Sequence, residues 1–198
     1  MRIAYFGGTF DPPHRAHLRV AQVAADAFAL DRVLLAPTGV QPLKPSQPYA
    51  SFADRLAMTR LLCADDPRLQ ETDLDAPHAD HTPNYTLDAL QQLQRDQPGA
   101  QLFVIVGADA FQTLPQWRQP QQLLALAQWI VVSRPGFAVP DISLTTEQRD
   151  RVHVLNTLDE DASASAVRQR LRLGIACDTW LTPTVALYIA RMHLYHAS

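Results

Sequence analysis

The chain has 198 residues, 47% of them hydrophobic and 19% charged, which suits one packed globular domain and excludes disordered, collagen-like and membrane-spanning classes. A formal net charge of −3 supplies no general basic field, so broad capture of nucleic acid is not expected and any anion must be caught locally. The opening segment lacks the apolar stretch and cleavage site of a secretory signal, and two distant cysteines, Cys63 and Cys177, make neither a disulfide framework nor a thiolate metal site, so the sequence reads as cytoplasmic.

Residues 2–6 form a short apolar run that predicts a buried strand, and Gly7-Gly8 then lets the backbone turn sharply. Asp11 is a capping type and Pro12-Pro13 suits a helix entrance; Leu18, Ala21, Ala25 and Phe28 recur at helical spacing afterwards. On that expectation His14 and His17, three residues apart, share one face of a first helical turn. A second strand is predicted over 31–37. Ser51 and Asp54 open a second helix in capping-box-like spacing, ending by Pro67.

Leu87, Leu90 and Leu93 mark a third helix that Pro98-Gly99 closes, followed by a central buried strand at 101–107. Two short helical patches lead to another apolar strand beginning at 128. A polar, irregular connection is expected over 136–150, then a short strand at 152–156. Two helices finish the chain, one from Ser163 to Leu173 before Gly174, the other entered through Thr182-Pro183.

Apolar strands alternating with helices predict an α/β fold, a doubly wound, mainly parallel sheet with helices on both faces. Ligands of such folds bind beyond the carboxyl ends of the strands, where Gly7-Gly8, Pro37-Thr38, Gly107-Ala108-Asp109 and Ser133-Arg134 would arrive. A glycine turn running into a helix start is a local anion site, because free N–H groups and the positive end of the helix dipole point the same way. The stretch is neither a P-loop nor a three-glycine dinucleotide fingerprint.

The full string Gly7-Gly8-Thr9-Phe10-Asp11-Pro12-Pro13-His14-Arg15-Ala16-His17 resembles the GGTFDPxHxGH signature of the nucleotidyltransferase superfamily. The segments at 83–90, 107–117, 133–136 and 163–171 are similar, in order, to the successive motifs of bacterial nicotinate-mononucleotide adenylyltransferases. Three departures stand out: Ala16 replaces a glycine, Gln41-Pro42-Leu43-Lys44 lacks the third histidine, and Ser163-Ala164-Ser165-Ala166-Val167-Arg168 keeps two hydroxyls and the arginine of a Ser/Thr-rich motif.

The resemblance implies a Rossmann-like nucleotidyltransferase domain over 1–198, with 160–198 a helical part completing the ATP site. It also implies a reaction of ATP with nicotinate mononucleotide that gives nicotinate adenine dinucleotide and pyrophosphate in NAD biosynthesis. The acceptor is itself a phosphate monoester with a second pKa of ~6, so it is already ionised near neutrality and needs no general base. The work left to the protein is positioning and charge stabilisation. By the resemblance His14, His17 and Arg168 carry catalysis. Gly8, Thr9, Phe10, Gly107, Asp109, Ser163, Ser165 and Arg168 hold ATP; Tyr85, Thr86, Trp117, Arg134 and Lys44 hold the acceptor. Arg134 and Lys44 are equally compatible with ATP phosphates. Backbone N–H groups at Tyr85-Thr86 would favour a carboxylate, and Trp117 offers a flat face to the pyridine ring. Magnesium is expected with ATP, held by phosphates and water, with no protein metal site.

Plainer readings remain open at this stage: Trp117 as a core aromatic, Asp109 or Thr86 as a helix cap, Arg134 as a strand end, and His78, Asp80 and His81 as solvated surface rather than metal ligands. Alternatives to the leading function are another acceptor, such as nicotinamide mononucleotide or phosphopantetheine, and an ATP sensor without turnover. The sequence leaves the oligomeric state open.

Overall fold

The computed structural model describes residues 1–43, 47–133, 142–156 and 162–195. The chain runs β1 (Arg2–Gly8), α1 (Arg15–Ala27), β2 (Arg32–Pro37), α2 (Phe52–Cys63), β3 (Leu69–Glu71), α3 (Thr86–Asp96) and β4 (Gln101–Gly107). It continues through α4 (Ala108–Gln112), a 3-10 turn (Leu114–Gln116), α5 (Pro120–Leu126), β5 (Gln128–Ser133), α6 (Thr146–Arg149), β6 (Val152–Asn156), α7 (Ala164–Arg172) and α8 (Pro183–Arg191). The strands form one sheet in the order β3-β2-β1-β4-β5-β6, with every pairing parallel. The doubly wound α/β expectation is borne out.

Alternation along the strands divides the interior into two layers. Ala4, Val33, Leu35, Phe103, Ile105 and Ile130 face one side, where α1 adds Ala21, Ala24 and Ala25, α2 adds Met58 and Leu62, and α7 and α8 add Val167, Val185 and Ile189. Ile3, Tyr5, Leu102, Val104, Val106, Trp129 and Val131 face the other, covered by Leu87, Leu90 and Leu93 of α3, Phe111 of α4 and Leu123 and Leu124 of α5. Trp129 is fully buried; truncating such a side chain to alanine costs ~3–5 kcal/mol through lost transfer energy and the cavity left behind.

Strand order reverses at the β1/β4 seam, where Arg2 pairs with Gln101 while β1 pairs on its other side with β2. Folds of this kind bind ligands beyond the strand ends at such a reversal. At those ends stand the turn after Gly8, Thr38 after β2 and Gly107 closing β4.

Three local expectations need correction. Asp11 does not cap α1: the helix begins at Arg15 and its N-cap is His14, extended at φ −144°, ψ 174°. The Asp11 carboxylate is taken instead by backbone N–H groups from the loop before α2, long-range partners that a local pattern does not reveal. Strand β3 was not foreseen, because it is three residues long and only Leu69 in it is buried. The connection expected to be irregular contains α6, whose N-cap Thr145 accepts from Gln148 N–H. No helix among the described residues is long and apolar enough to cross a membrane.

Candidate active site

The turn after β1 is shaped by close approach. A Cβ on Gly7 would lie 2.6 Å from the Tyr5 hydroxyl, and one on Gly8 would lie 3.2 Å from the Phe10 ring. Phe10 itself takes a left-handed conformation, φ 46°, with its side chain 2% exposed; a bulky residue persists there only where its surroundings hold it. Those surroundings are built from buried charge. The Asp11 carboxylate accepts from Tyr49 N–H at 2.7 Å and Ala50 N–H at 3.1 Å. Arg55, 2% exposed, donates through Nη1 to the carbonyls of Thr9 (2.7 Å) and Thr38 (2.9 Å), tying the turn after β1 to the one after β2.

His17 Nδ1 accepts the His14 backbone N–H at 3.2 Å, so the side chain of the helix's third residue closes its own N-terminus. A ring nitrogen that accepts carries no proton, which leaves the His17 proton on Nε2. The two rings lie 3.8 Å apart, tilted by 32°, and Phe10 meets His17 edge-on at 4.8 Å. Burial lowers the His14 pKa to about 4. His17 is pushed well below its ordinary value, by burial first and by the charge His14 would carry second. At neutral pH both rings are therefore uncharged, and each offers one N–H.

Helix α7 faces this turn. Ser163 caps it, its Oγ accepting from Ala166 N–H at 3.2 Å. From the next turn Arg168 reaches across the crevice: Nη1 donates to the Asp11 carbonyl at 2.6 Å, Nη2 donates to Ser165 Oγ at 3.3 Å, and the guanidinium lies 4.6 Å from the centre of the Tyr49 ring. Arg172, one turn further, also lies 4.6 Å from that ring. A cleft of about 340 Å³ lies between, lined by Thr9, Asp11, Thr38, Gln41, Tyr49, Ser165 and Arg168 among others. Hydroxyls and a guanidinium around a helix N-terminus suit phosphate oxygens.

On the far side of β1, the Tyr5 hydroxyl donates to Asp75 Oδ2 at 2.8 Å. The Thr86 side chain, at the start of α3, hydrogen-bonds Tyr5, and Thr38 hydrogen-bonds Asp75. This relay of hydroxyls joins the cleft to the α3 N-terminus through the interior. Burial raises the Asp75 pKa against the lowering effect of its hydrogen-bond donors, Tyr5 first. Asn84 ties the neighbouring loops together, accepting from Val40 N–H and donating to the Ala76 carbonyl, both at 2.8 Å.

Residues 5–170 match the cytidylyltransferase-like family. The probable nicotinate-nucleotide adenylyltransferase of Herpetosiphon aurantiacus is 36% identical over 199 residues, covering 99% of each chain. That of a Roseiflexus species is 39% identical over 199 residues, covering 98% of this chain and 97% of its own. The chain belongs to the nicotinate-nucleotide adenylyltransferase family. Among solved structures, the nicotinic acid mononucleotide adenylyltransferase of Plasmodium falciparum complexed with NaAD superposes with a TM-score of 0.76 at 17% identity, covering 98% of this chain and 97% of its own. At that identity the likeness speaks for the fold.

Within this adenylyltransferase, Thr9, Ser165 and Arg168 line one cleft, Ser163 caps the helix that carries two of them, and Gly8 and Phe10 flank Thr9 in the turn, outside the lining. The His14–His17 pair stands at the start of α1, three residues on from the lining residue Asp11, and does not itself line the cleft. The other predicted residues are spread along the sheet. Gly107 is the N-cap of α4, with open space where a Cβ would stand, and Asp109 is exposed in that helix. Tyr85, not Thr86, is the N-cap of α3, and the Arg118 guanidinium lies 4.9 Å from its ring. Trp117 is half-buried, donating Nε1–H to Thr113 Oγ1 at 3.0 Å and meeting Trp129 edge-on at 6.1 Å. Lys44 and Arg134 lie outside the described residues. Asp80 accepts from Thr82, and His78 Nε2 is 3.3 Å from Asn84 Nδ2.

Sequence reasoning missed Arg55, Tyr49, Asp75 and Tyr195. Arg55 left one signal: a charged residue on the inward side of an otherwise apolar helix stripe, between Phe52 and Met58. Tyr49 and Tyr195 left none, since their roles depend on partners far away in the chain.

Proposed function

We propose that this adenylyltransferase transfers the adenylyl group of ATP to nicotinate mononucleotide, releasing pyrophosphate, with the residues of the Gly7–His17 turn and α7 as the machinery. The observation that carries the reading is the packed His14–His17 pair, its rings 3.8 Å apart, at the end of the same loop whose Thr9 and Asp11 line a cleft with Ser165 and Arg168. An oxygen of the acceptor phosphate attacks the α-phosphorus, the bond from that phosphorus to the bridging oxygen breaks, and the electron pair leaves with pyrophosphate. No proton must be removed from the nucleophile, since the monoester is already ionised.

His17 Nε2–H and the His14 ring donate to the α-phosphoryl and bridging oxygens, where negative charge grows during transfer. Arg168 leaves the Asp11 carbonyl for the β- and γ-phosphates, assisted by Ser163 and Ser165 at the α7 N-terminus. Thr9 and the backbone from Gly8 to Phe10 hold phosphate at the turn. Asp109 and Gly107 take the nucleoside side of ATP. Tyr85, Thr86, Trp117, Arg134 and Lys44 take the acceptor. The residues present fit a magnesium ion that arrives with ATP and is held by phosphates and water, because Asp11, the carboxylate of the cleft, already has both oxygens engaged by donors. Such an ion neutralises phosphate charge.

Pyrophosphate release with nicotinate and nicotinamide mononucleotides in parallel tests this. Preference for the nicotinate acceptor supports a carboxylate-reading start of α3. Release with neither acceptor, while ATP still binds, would replace the reading with another acceptor or with a sensor.

A further inference from the structure

Asp11 is 2% exposed and has a donor that neither its own loop nor α7 supplies. Tyr195, in the turn after α8, donates its hydroxyl to Asp11 Oδ1 at 2.7 Å, across 184 residues of sequence. The contact is held at both ends by strained backbone. Tyr195 sits at φ 63° and His193 at φ 52°, while Phe10, just before Asp11, sits at φ 46°. Non-glycine residues in the left-handed region persist where other contacts over-determine them, and such outliers cluster at functional sites. Helix α8 supplies the anchor, since Val185 and Ile189 are buried in the core and Leu194 N–H returns to the Ile189 carbonyl at 3.0 Å.

The charges around Asp11 give the contact its meaning. Its carboxylate takes three donors: Tyr195 Oη and Ala50 N–H on Oδ1, and Tyr49 N–H on Oδ2. Arg168 Nη1 stands 4.0 Å from Oδ2, beyond a good hydrogen bond, and donates instead to the Asp11 carbonyl. Arg55 is also near, but its Nη1 is engaged by the Thr9 and Thr38 carbonyls. A buried carboxylate that loses a donor draws on the nearest available cation. Arg55 Nε is buried without a hydrogen-bond partner, but of the two guanidiniums it is Arg168 that stands within ion-pair range of the carboxylate.

We propose that Tyr195 is a positioning residue for ATP: by satisfying the Asp11 carboxylate, its hydroxyl keeps Arg168 free to leave for the triphosphate. The proposal rests on the reading of the cleft as the triphosphate site. It makes the turn after α8 part of the phosphate-binding apparatus, although Tyr195 need touch no substrate.

The test is Tyr195→Phe, which removes one oxygen and keeps the ring. Losing a hydrogen bond to a charged group, with part of the effect passed on to Arg168, is expected to raise the KM for ATP roughly fivefold to tenfold. The KM for nicotinate mononucleotide should hold. In an Arg168→Ala background the same change should add nothing, since coupled residues are not additive. A merely structural role would lower the active fraction and so kcat, leaving both KM values alone; that outcome overturns the proposal. So does an unchanged KM for ATP, or an effect that persists without Arg168. Calorimetric titration with ATP reads the same shift in Kd without turnover, with stoichiometry reporting the folded fraction. A wild-type protein that binds ATP but releases no pyrophosphate would therefore defeat the functional reading while still deciding the role of Tyr195.

Discussion

Lowering the pH perturbs the site through its histidines. His14 is 5% exposed, and burial sets its folded pKa to about 4, against 6.5 when unfolded. Above pH 6.5 the ring is neutral in both states. As pH falls from 6.5 to about 4 the unfolded chain takes up a proton that the folded one refuses, so stability is lost across that window and levels off below it. The loss amounts to about 3 kcal/mol for this ring. His17 is shifted in the same direction. Asp75, with its raised pKa, acts in the opposite sense, its share of stability being lost as pH rises. The His14 share is isolated by comparing wild type with His14→Asn in urea melts at several pH values. The difference in unfolding free energy should change by up to ~1.4 kcal/mol per pH unit through the window. NMR titration of the imidazole carbons reads the ring directly. A His14 signal titrating at its ordinary value in the free protein, or a difference curve flat with pH, would refute the burial argument and with it the neutral donor pair.

Other substitutions probe separate parts of the site. His17→Ala should lower kcat by ~10²–10³, the usual cost of one lost transition-state donor, with circular dichroism unchanged; near-normal turnover would remove the ring from the chemistry. Trp117→Ala should raise the KM for nicotinate mononucleotide and leave that for ATP in place, and an equal rise in both would take Trp117 out of the acceptor pocket. Arg55→Met strips two carbonyls of their charged donor and should cost ~3 kcal/mol in denaturant melts. Gly39→Ala brings a Cβ to 2.6 Å from Pro77 N; overpacking of this kind costs ~1–3 kcal/mol and should show as a lowered Tm.

What the sequence made legible followed from local pattern. Apolar runs such as 102–106 marked the central strands, because a parallel sheet covered on both faces buries every side chain along their middle. The histidine pair and the α7 hydroxyls came with their motifs. Asp11 was misread because a capping aspartate and a hub aspartate look alike in sequence; only the arrival of Tyr49, Ala50 and Tyr195 tells them apart. Thr86 was expected to offer its backbone or cap a helix, yet its side chain enters the Tyr5–Asp75 relay, a pairing across the sheet that no spacing rule contains. Strand β3 was invisible for a different reason: Leu69 alone buries a side chain there, and one residue makes no period.

The sheet order has a kinetic consequence. Strand β1 is completed by β2 on one side and by β4 on the other, where the partner of Arg2 is Gln101. Such distant parallel pairing closes a long loop before any contact rewards it, and so proceeds slowly. On the ribosome the signature turn is made before β4, so the strand that carries it keeps one edge unpaired until residues 101–104 have followed. For that interval β1 presents Ile3, Ala4 and Tyr5 beside open backbone groups, a surface that invites pairing with another chain. The signature turn is thus made well before the strand that encloses it, and folding yield should depend on how promptly β4 follows.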